Sequence, residues 1–301
     1  MHLDQPGPDI GVFHTDEVSQ GKRPLDYSTS RIIAFPNSRY TEPPNVAGGW
    51  KSIDHGHTAD IRLNFVGNDP DFLLCGRDIT PFQMKVELLS SRAGQFNSGS
   101  VTWMETKTGA KDCQVGNFST YEVHGNNNSN PPQKSVKSIQ FERPFKEPPE
   151  VVCWLKLLHL KSGGPNYRII AYATNITTTG FNANLNTWED SAVLGAAMCW
   201  IAFPKDKRKV AGGHFYTNEV RPWTEPREKT SKQINFPPGR FKKPPVVLVA
   251  LNELDMKGDK DLRIRVEATD VTKDGFTWHL DTWGDSVLYG AGGGYVALGF
   301  A

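Results

Sequence analysis

Gly213-His214-Phe215-Tyr216-Thr217-Asn218-Glu219-Val220 opens a string that the chain contains three times. The same opening stands at Gly11-Val12-Phe13-His14-Thr15-Asp16-Glu17-Val18 and at Gly116-Asn117-Phe118-Ser119-Thr120-Tyr121-Glu122-Val123. Gly, Phe, Thr, Glu and Val keep their places in all three copies. A spacing of roughly one hundred residues is too long for one turn of a solenoid and fits a small domain.

The rest of each copy keeps the register. The third continues with Phe236, Pro244-Pro245, Asp261-Leu262-Arg263, Asp270-Val271-Thr272, Gly275-Phe276 and Thr282-Trp283. The second has Phe141, Pro148-Pro149, Tyr167-Arg168, Asn175-Ile176-Thr177, Gly180-Phe181 and Thr187-Trp188. The first has Phe35, Pro43-Pro44, Asp60-Ile61-Arg62 and Asp78-Ile79-Thr80, with extra residues that include Asn68 to Gly76. It lacks the Thr-Trp pair, and Leu89 stands about where that Trp would be. Three tandem domains are expected, over 1–107, 108–207 and 208–301.

Short runs with period two, punctuated by Gly, Pro and Asn, predict strands. Ile61, Leu63 and Phe65 form one apolar face, and Phe82, Met84, Val86 and Leu88 form another. Val46 to Ile53, with Gly48-Gly49 inside it, reads as a weak strand. Val151 to Leu158 and Val246 to Leu251 are apolar on both faces, so each needs a second partner beyond its own domain. The nearest partners are the other copies. The expectation is an all-β chain of three small antiparallel β-sandwich domains, each of five or six short strands, packed on one another through this strand.

With a net charge of +1, long-range attraction to nucleic acid or anionic membrane is not expected. No run of eighteen apolar residues suggests membrane insertion. Met1 to Pro8 lacks the basic and apolar regions of a secretory signal, so a cytoplasmic or non-classically secreted protein is expected. The four cysteines, Cys75, Cys113, Cys153 and Cys199, match no zinc spacing and do not recur between copies. Free buried thiols are the expectation, with a Cys153–Cys199 bridge as the alternative. The eight histidines do not recur in register, so neither metal nor cofactor is expected. No nucleophile–His–acid set repeats and no phosphate-cradling loop follows a strand, so an enzyme is not expected.

The motif order resembles the H-type lectin domain of snail agglutinins and discoidins. The resemblance is strongest in the second and third copies. It implies a six-stranded sandwich that assembles as a trimer and binds N-acetylgalactosamine or galactose between protomers, with no bridging metal. Three fused copies would then make a pseudo-threefold trimer within one chain, with further self-association left open. The family's sugar-contacting Arg falls on Arg168, Arg263 and Arg62, and its Trp on Trp188 and Trp283. The residue after the Trp falls on Glu189 and Gly284. An aromatic supplied across the interface falls on Tyr289, and is Leu194 in the second copy. An acid of the first loop falls near Glu225 in the third copy and near Asn130 in the second.

The residues support a site by themselves. Parity puts Leu262, Ile264, Val266 and Ala268 inward and Arg263, Arg265 and Glu267 outward. It puts Phe276, Trp278 and Leu280 inward, and Thr277, His279, Asp281 and Trp283 outward. In the second copy Phe181, Ala183 and Leu185 point inward, and Asn182, Asn184, Asn186 and Trp188 outward. An outward Trp beside an outward Arg suits a sugar, whose C–H face stacks on indole while its hydroxyls accept from guanidinium. The alternatives are an Arg held in an ion pair and a Trp packed between domains. Glu17, Glu122 and Glu219, read as lying in the opening strand, are expected to be structural. The function expected is a multivalent lectin of adhesion or defence, with two competent clefts and one degenerate. The alternative is a structural or protein-interaction module on the same fold that has lost sugar binding.

Overall fold

The computed structural model describes all residues except 1–9, 27, 36–39, 59, 67–78, 91–94, 111, 126–131 and 301, and omits the side chains of Arg62, Phe65 and Val66. The insertion Asn68 to Gly76 and the candidate Asn130 therefore lie outside the described residues.

Each repeat supplies six strands. The first holds β1 Ile10–His14, β2 Ser28–Ala34, β3 Asn45–His55, β4 Ile61–Val66, β5 Gln83–Leu89 and β6 Phe96–Thr106. The second holds β7 Gln114–Ser119, β8 Lys134–Gln140, β9 Glu150–Leu160, β10 Tyr167–Thr174, β11 Gly180–Asn186 and β12 Val193–Phe203. The third holds β13 Val210–Tyr216, β14 Lys229–Asn235, β15 Val246–Met256, β16 Leu262–Thr269, β17 Gly275–Asp281 and β18 Leu288–Leu298.

Each six-stranded sheet is shared by two repeats. The orders are β1-β6-β3-β16-β17-β14, β13-β18-β15-β10-β11-β8 and β2-β5-β4-β9-β12-β7. A repeat thus places its first, third and sixth strands in one sheet, and its second, fourth and fifth in another. The joints are the antiparallel pairs β3–β16, β15–β10 and β9–β4. Three such joints close a cycle, which is consistent with the expected pseudo-threefold packing. Each joint gives the edge amides and carbonyls of a third strand their ladder partners, which blunts an otherwise open edge.

The two-faced apolar strands account for the centre. On β9, Cys153 and Leu155 face the core within the repeats. Val152 and Trp154 face a second cluster that also holds Ala47, Ile201, Leu248 and Val296, so all three repeats contribute. Trp154 donates from Nε1 to the carbonyl of Gly294 at 2.9 Å, and Trp50 to that of Lys156 at 2.9 Å. Thr102 Oγ1 donates to the carbonyl of Val249 at 2.6 Å. Each bond joins a different pair of repeats. Cys153 and Cys199 are not joined in a disulfide, because they belong to different clusters on opposite faces of their sheet.

Two strand expectations are corrected. Val46 to Ile53 is not a weak strand but part of the eleven-residue β3. Its glycines permit contact, since a Cβ on Gly49 would sit 2.5 Å from Cβ of Trp154. Phe82 is 59% exposed because it precedes β5, whose inward face begins at Met84.

The repeated opening has a structural role at four of its five shared positions, the exception being the exposed Val18, Val123 and Val220. Gly11, Gly116 and Gly213 leave room for the rings of Trp103, Trp200 and Tyr295. Phe13, Phe118 and Phe215 are core residues. Thr15, Thr120 and Thr217 accept at Oγ1 from the amides of Gly99, Ala196 and Ala291, at 3.1, 3.0 and 3.0 Å. The glutamates lie in short helical turns after the strand, Asp16–Ser19, Tyr121–His124 and Thr217–Glu219, rather than in the strand itself. One oxygen of each accepts from an amide three residues back, at 2.9, 2.7 and 2.9 Å. The other pairs with Arg31, Lys137 or Lys232 at matching positions of β2, β8 and β14. They are structural.

The centre generates two predictions. Trp154→Ala removes a fully buried ring and one cross-repeat hydrogen bond, so it should cost about 3–5 kcal/mol. Denaturant melts followed by fluorescence and by circular dichroism should still coincide, because the repeats share sheets. The second concerns His214 on β13, which accepts at Nε2 from the amide of Cys153 at 3.1 Å and so sits neutral against another repeat. Burial drives its imidazole down to about 4. Its contribution is complete above the usual imidazole range and is lost as pH falls from about 6.5 toward 4. His214→Gln should remove on the order of 2 kcal/mol of that acid loss, seen in urea midpoints at pH 7 and pH 4.5.

Candidate functional site

The joints between repeats bring the candidate arginines against residues of the next repeat. Arg168 on β10 stands opposite Asp255 on β15, and Arg263 on β16 stands opposite Asp54 on β3. Arg168 Nε lies 3.0 Å from Asp255 Oδ1, and its Nη1 pairs with Asp190. Arg263 Nε lies 3.4 Å from Asp54 Oδ1 and its Nη1 2.6 Å from Asp285 Oδ1, while Nη2 pairs with Asp261. His57 Nδ1 lies 2.7 Å from Asp261 Oδ1. At the third joint Arg62 stands opposite His159. There the acid is replaced by an imidazole, whose Nδ1 lies 3.3 Å from the hydroxyl of Tyr121.

Asp54, His159 and Asp255 are the tenth residues of β3, β9 and β15. The two acids were missed as candidate site residues. A signal was present, because Ile53-Asp54 and Leu254-Asp255 end their apolar strands alike while Leu158-His159 does not. What the sequence could not supply was the pairing of that strand end with an Arg of another repeat.

The Thr-Trp pair explains how each Trp is held. Thr187 Oγ1 donates to the carbonyl of Arg168 at 2.6 Å, and Thr282 Oγ1 to that of Arg263 at 2.5 Å. Three residues after each Trp, Ser191 and Ser286 donate to the carbonyls of Asn166 and Asp261, both at 2.5 Å. The turn between needs a left-handed residue, which is Glu189 at φ 54° in one loop and Gly284 at φ 69° in the other. Trp188 and Trp283 are thus fixed, half-buried, in loops folded back onto the Arg strand. Glu189 is exposed beside Trp188.

Tyr289 precedes Gly290, whose strand position pairs with Asp255. That places Tyr289, on the third repeat, at the same joint as Arg168 of the second. At the Arg263 cleft the same position is Asn97, whose Nδ2 donates to Asp54 Oδ1 at 3.1 Å. Glu225 is exposed and pairs with Arg227 at 3.0 Å. Two positions that parity turns outward are nonetheless covered, since Asp281 and Asn184 are each 6% exposed. Arg265 Nη2 lies 3.4 Å from Asp281 Oδ2, and Asn184 is enclosed by Tyr172, Thr174 and Asn182. The register also corrects the place of Leu89. It pairs with Ser28 as Asn186 pairs with Lys134, so the missing Trp corresponds to Ser91, outside the described residues.

The electrostatics of the two clefts differ. Burial raises the Asp255 carboxyl despite the Arg168 charge beside it. Burial, with the Asp255 charge, pushes Glu253 up to about 7. Burial would raise Asp261 as well, but its hydrogen bonds from His57 and the Arg263 charge outweigh it and hold that carboxyl low. Among the described residues no group of His, Cys, Asp and Glu could hold a metal ion. What the clefts offer is a guanidinium held by carboxylates, acceptor oxygens beside it and an indole face, a set suited to a neutral polyhydroxylated ligand.

Arg168→Met should leave the Asp255 carboxyl buried without its cation. The expected loss is about 1–3 kcal/mol at pH 8, shrinking at pH 5 as the carboxyl protonates, measured by urea denaturation at both values.

Two segments of the chain, residues 136–203 and 231–298, match the model of the H-type lectin domain. No curated protein matches the chain. Two solved structures of discoidin II from Dictyostelium discoideum resemble it distantly. One, of the recombinant protein, is 14% identical over 65% of this chain and 95% of its own, with a TM-score of 0.27. The other, of the wild-type protein, is 15% identical over 64% of this chain and 93% of its own, with a TM-score of 0.27. Both matched segments lie in the second and third repeats.

Proposed function

We propose, from the match of residues 136–203 and 231–298 to the H-type lectin domain, that the chain binds terminal N-acetylgalactosamine or galactose at its Arg–Asp clefts, without catalysis. One cleft joins Arg168, Trp188 and Glu189 to Asp255 and Tyr289, with Glu225 in the loop nearby. The other joins Arg263, Trp283 and Gly284 to Asp54. The observation that supports this reading most is the repetition of Arg, acid and Trp at two of three joints, with each set divided between repeats. The third joint has His159 for the acid and no Thr-Trp, so Arg62 belongs to a degenerate cleft.

The guanidinium is fixed in position by its carboxylates and keeps N–H donors for sugar hydroxyls. The indole takes the apolar face of the ring. A single sugar would bind weakly, and two clefts on one body would gain on multivalent glycans through effective concentration. One observation favours the scaffold reading instead: Arg263 is engaged by Asp54, Asp261 and Asp285, as a purely structural arginine would be.

Titration with free N-acetylgalactosamine and galactose, after a glycan array, separates the two. The lectin reading expects two sites per chain, with Trp188→Ala and Trp283→Ala each removing one. Three equal sites would overturn the count. Loss of thermal stability in both variants with no glycan bound by the parent chain would establish the scaffold.

A further inference from the structure

The Arg168 cleft carries an aromatic that has no described counterpart at the other two joints. Trp223 lies 65% exposed in the loop between the Thr217–Glu219 turn and β14. Trp is highly buried on average, so an indole this exposed stands out. The ring meets Tyr289 edge-on, with centroids 6.5 Å apart and planes at 75°.

Arg221 fixes that arrangement. It is 2% exposed. Its Nη1 donates to the carbonyl of Tyr289 at 2.9 Å and to that of Pro222 at 3.3 Å. Its Nη2 donates to the carbonyl of Leu288 at 2.9 Å, and its Nε to Thr230 Oγ1 at 3.0 Å. One guanidinium therefore ties the loop that bears Trp223 to the strand that bears Tyr289. Burying that charge on neutral carbonyl and hydroxyl acceptors is costly, so the geometry it enforces is a specified one. In the second repeat the same position is His124, which meets Ser135 Oγ at 2.9 Å.

The sheet sets the distances. Arg168, Asp255 and Gly290 lie side by side on β10, β15 and β18. Strands are about 4.8 Å apart, so the Tyr289 end of β18 lies about 10 Å from Arg168. The loop that bears Trp223 follows β13, which lies on the far side of β18 from β15 and β10. A pyranose is about as wide as one strand spacing, so a sugar held by Arg168 and Asp255 reaches no farther than Tyr289. The exposed face of Trp223 is left for the next sugar along.

We propose that Trp223, braced by Tyr289 and Arg221, is a second sugar subsite, so that this cleft selects oligosaccharides over single sugars. The terminal residue sits at Arg168, and the apolar face of a following hexose stacks on Trp223. The proposal rests on the lectin reading of the cleft, and its test separates the two.

Calorimetric titration is made in Trp283→Ala, which silences the other cleft, with free N-acetylgalactosamine and with a trisaccharide that ends in it. The parent should bind the trisaccharide more tightly. Trp223→Ala should weaken the trisaccharide about three- to tenfold and leave the single sugar within about twofold. Trp223→Phe should restore most of the difference while losing the fluorescence change that the trisaccharide produces. Equal loss for both ligands, or no loss for either, would overturn the subsite and leave the lectin reading standing. If neither ligand binds the parent, the lectin reading falls and the subsite with it.

Discussion

The ladder between the third strand of one repeat and the fourth strand of the next is the constraint on which the rest depends. Without it each repeat would expose two sheet edges and an apolar strand face, and neither is tolerated in water. With it, every six-stranded sheet is completed by a neighbour. The faces of β3, β9 and β15 turned away from their own repeats meet in one central cluster. Three joints suffice because the repeats close a cycle.

The same joints create the candidate sites. A strand end is where side chains escape the core, and at each joint two such ends from different repeats are held in register. Arg and Asp meet there because β10 and β15, or β16 and β3, are hydrogen-bonded neighbours. Stability and ligand chemistry are therefore coupled in one place. The carboxylates that orient the guanidinium also offset the charge it brings to a half-buried joint. The Thr and Ser of the Trp loop, bonded to carbonyls of the Arg strand, make the indole part of the same rigid unit.

Divergence among the repeats is readable in these terms. Residues that serve every sandwich are retained: the Gly beneath an aromatic ring, the core Phe, the Thr on an amide, and the Glu that caps one amide and pairs with one cation. Residues that serve a single joint vary. Asp gives way to His159, Tyr289 to Leu194 and Asn97, and the Trp is missing from the first repeat. Retention of these positions marks the fold, whereas variation at the strand ends, around an Arg kept in all three repeats, separates the clefts from one another.

The sequence by itself determined the repeat, the all-β class, the strand parity and the need of the central strands for a second partner. These follow from local chemistry: side chains alternate along a strand, and an apolar face must be covered. It also pointed to Arg168, Arg263, Trp188 and Trp283. The helical turns that hold the glutamates were not legible, being about one turn long. The strength of β3 was hidden because Gly49 looks like a breaker until Trp154 of another repeat fills the space above it. The burial of Asp281 and Asn184 was hidden too, because parity gives a direction and not what lies in that direction. Only the tertiary structure decided which repeat pairs with which, and so which acid faces which Arg. Hydrogen bonding between strands far apart in the chain carries no local signature, and the clefts exist only where those strands meet.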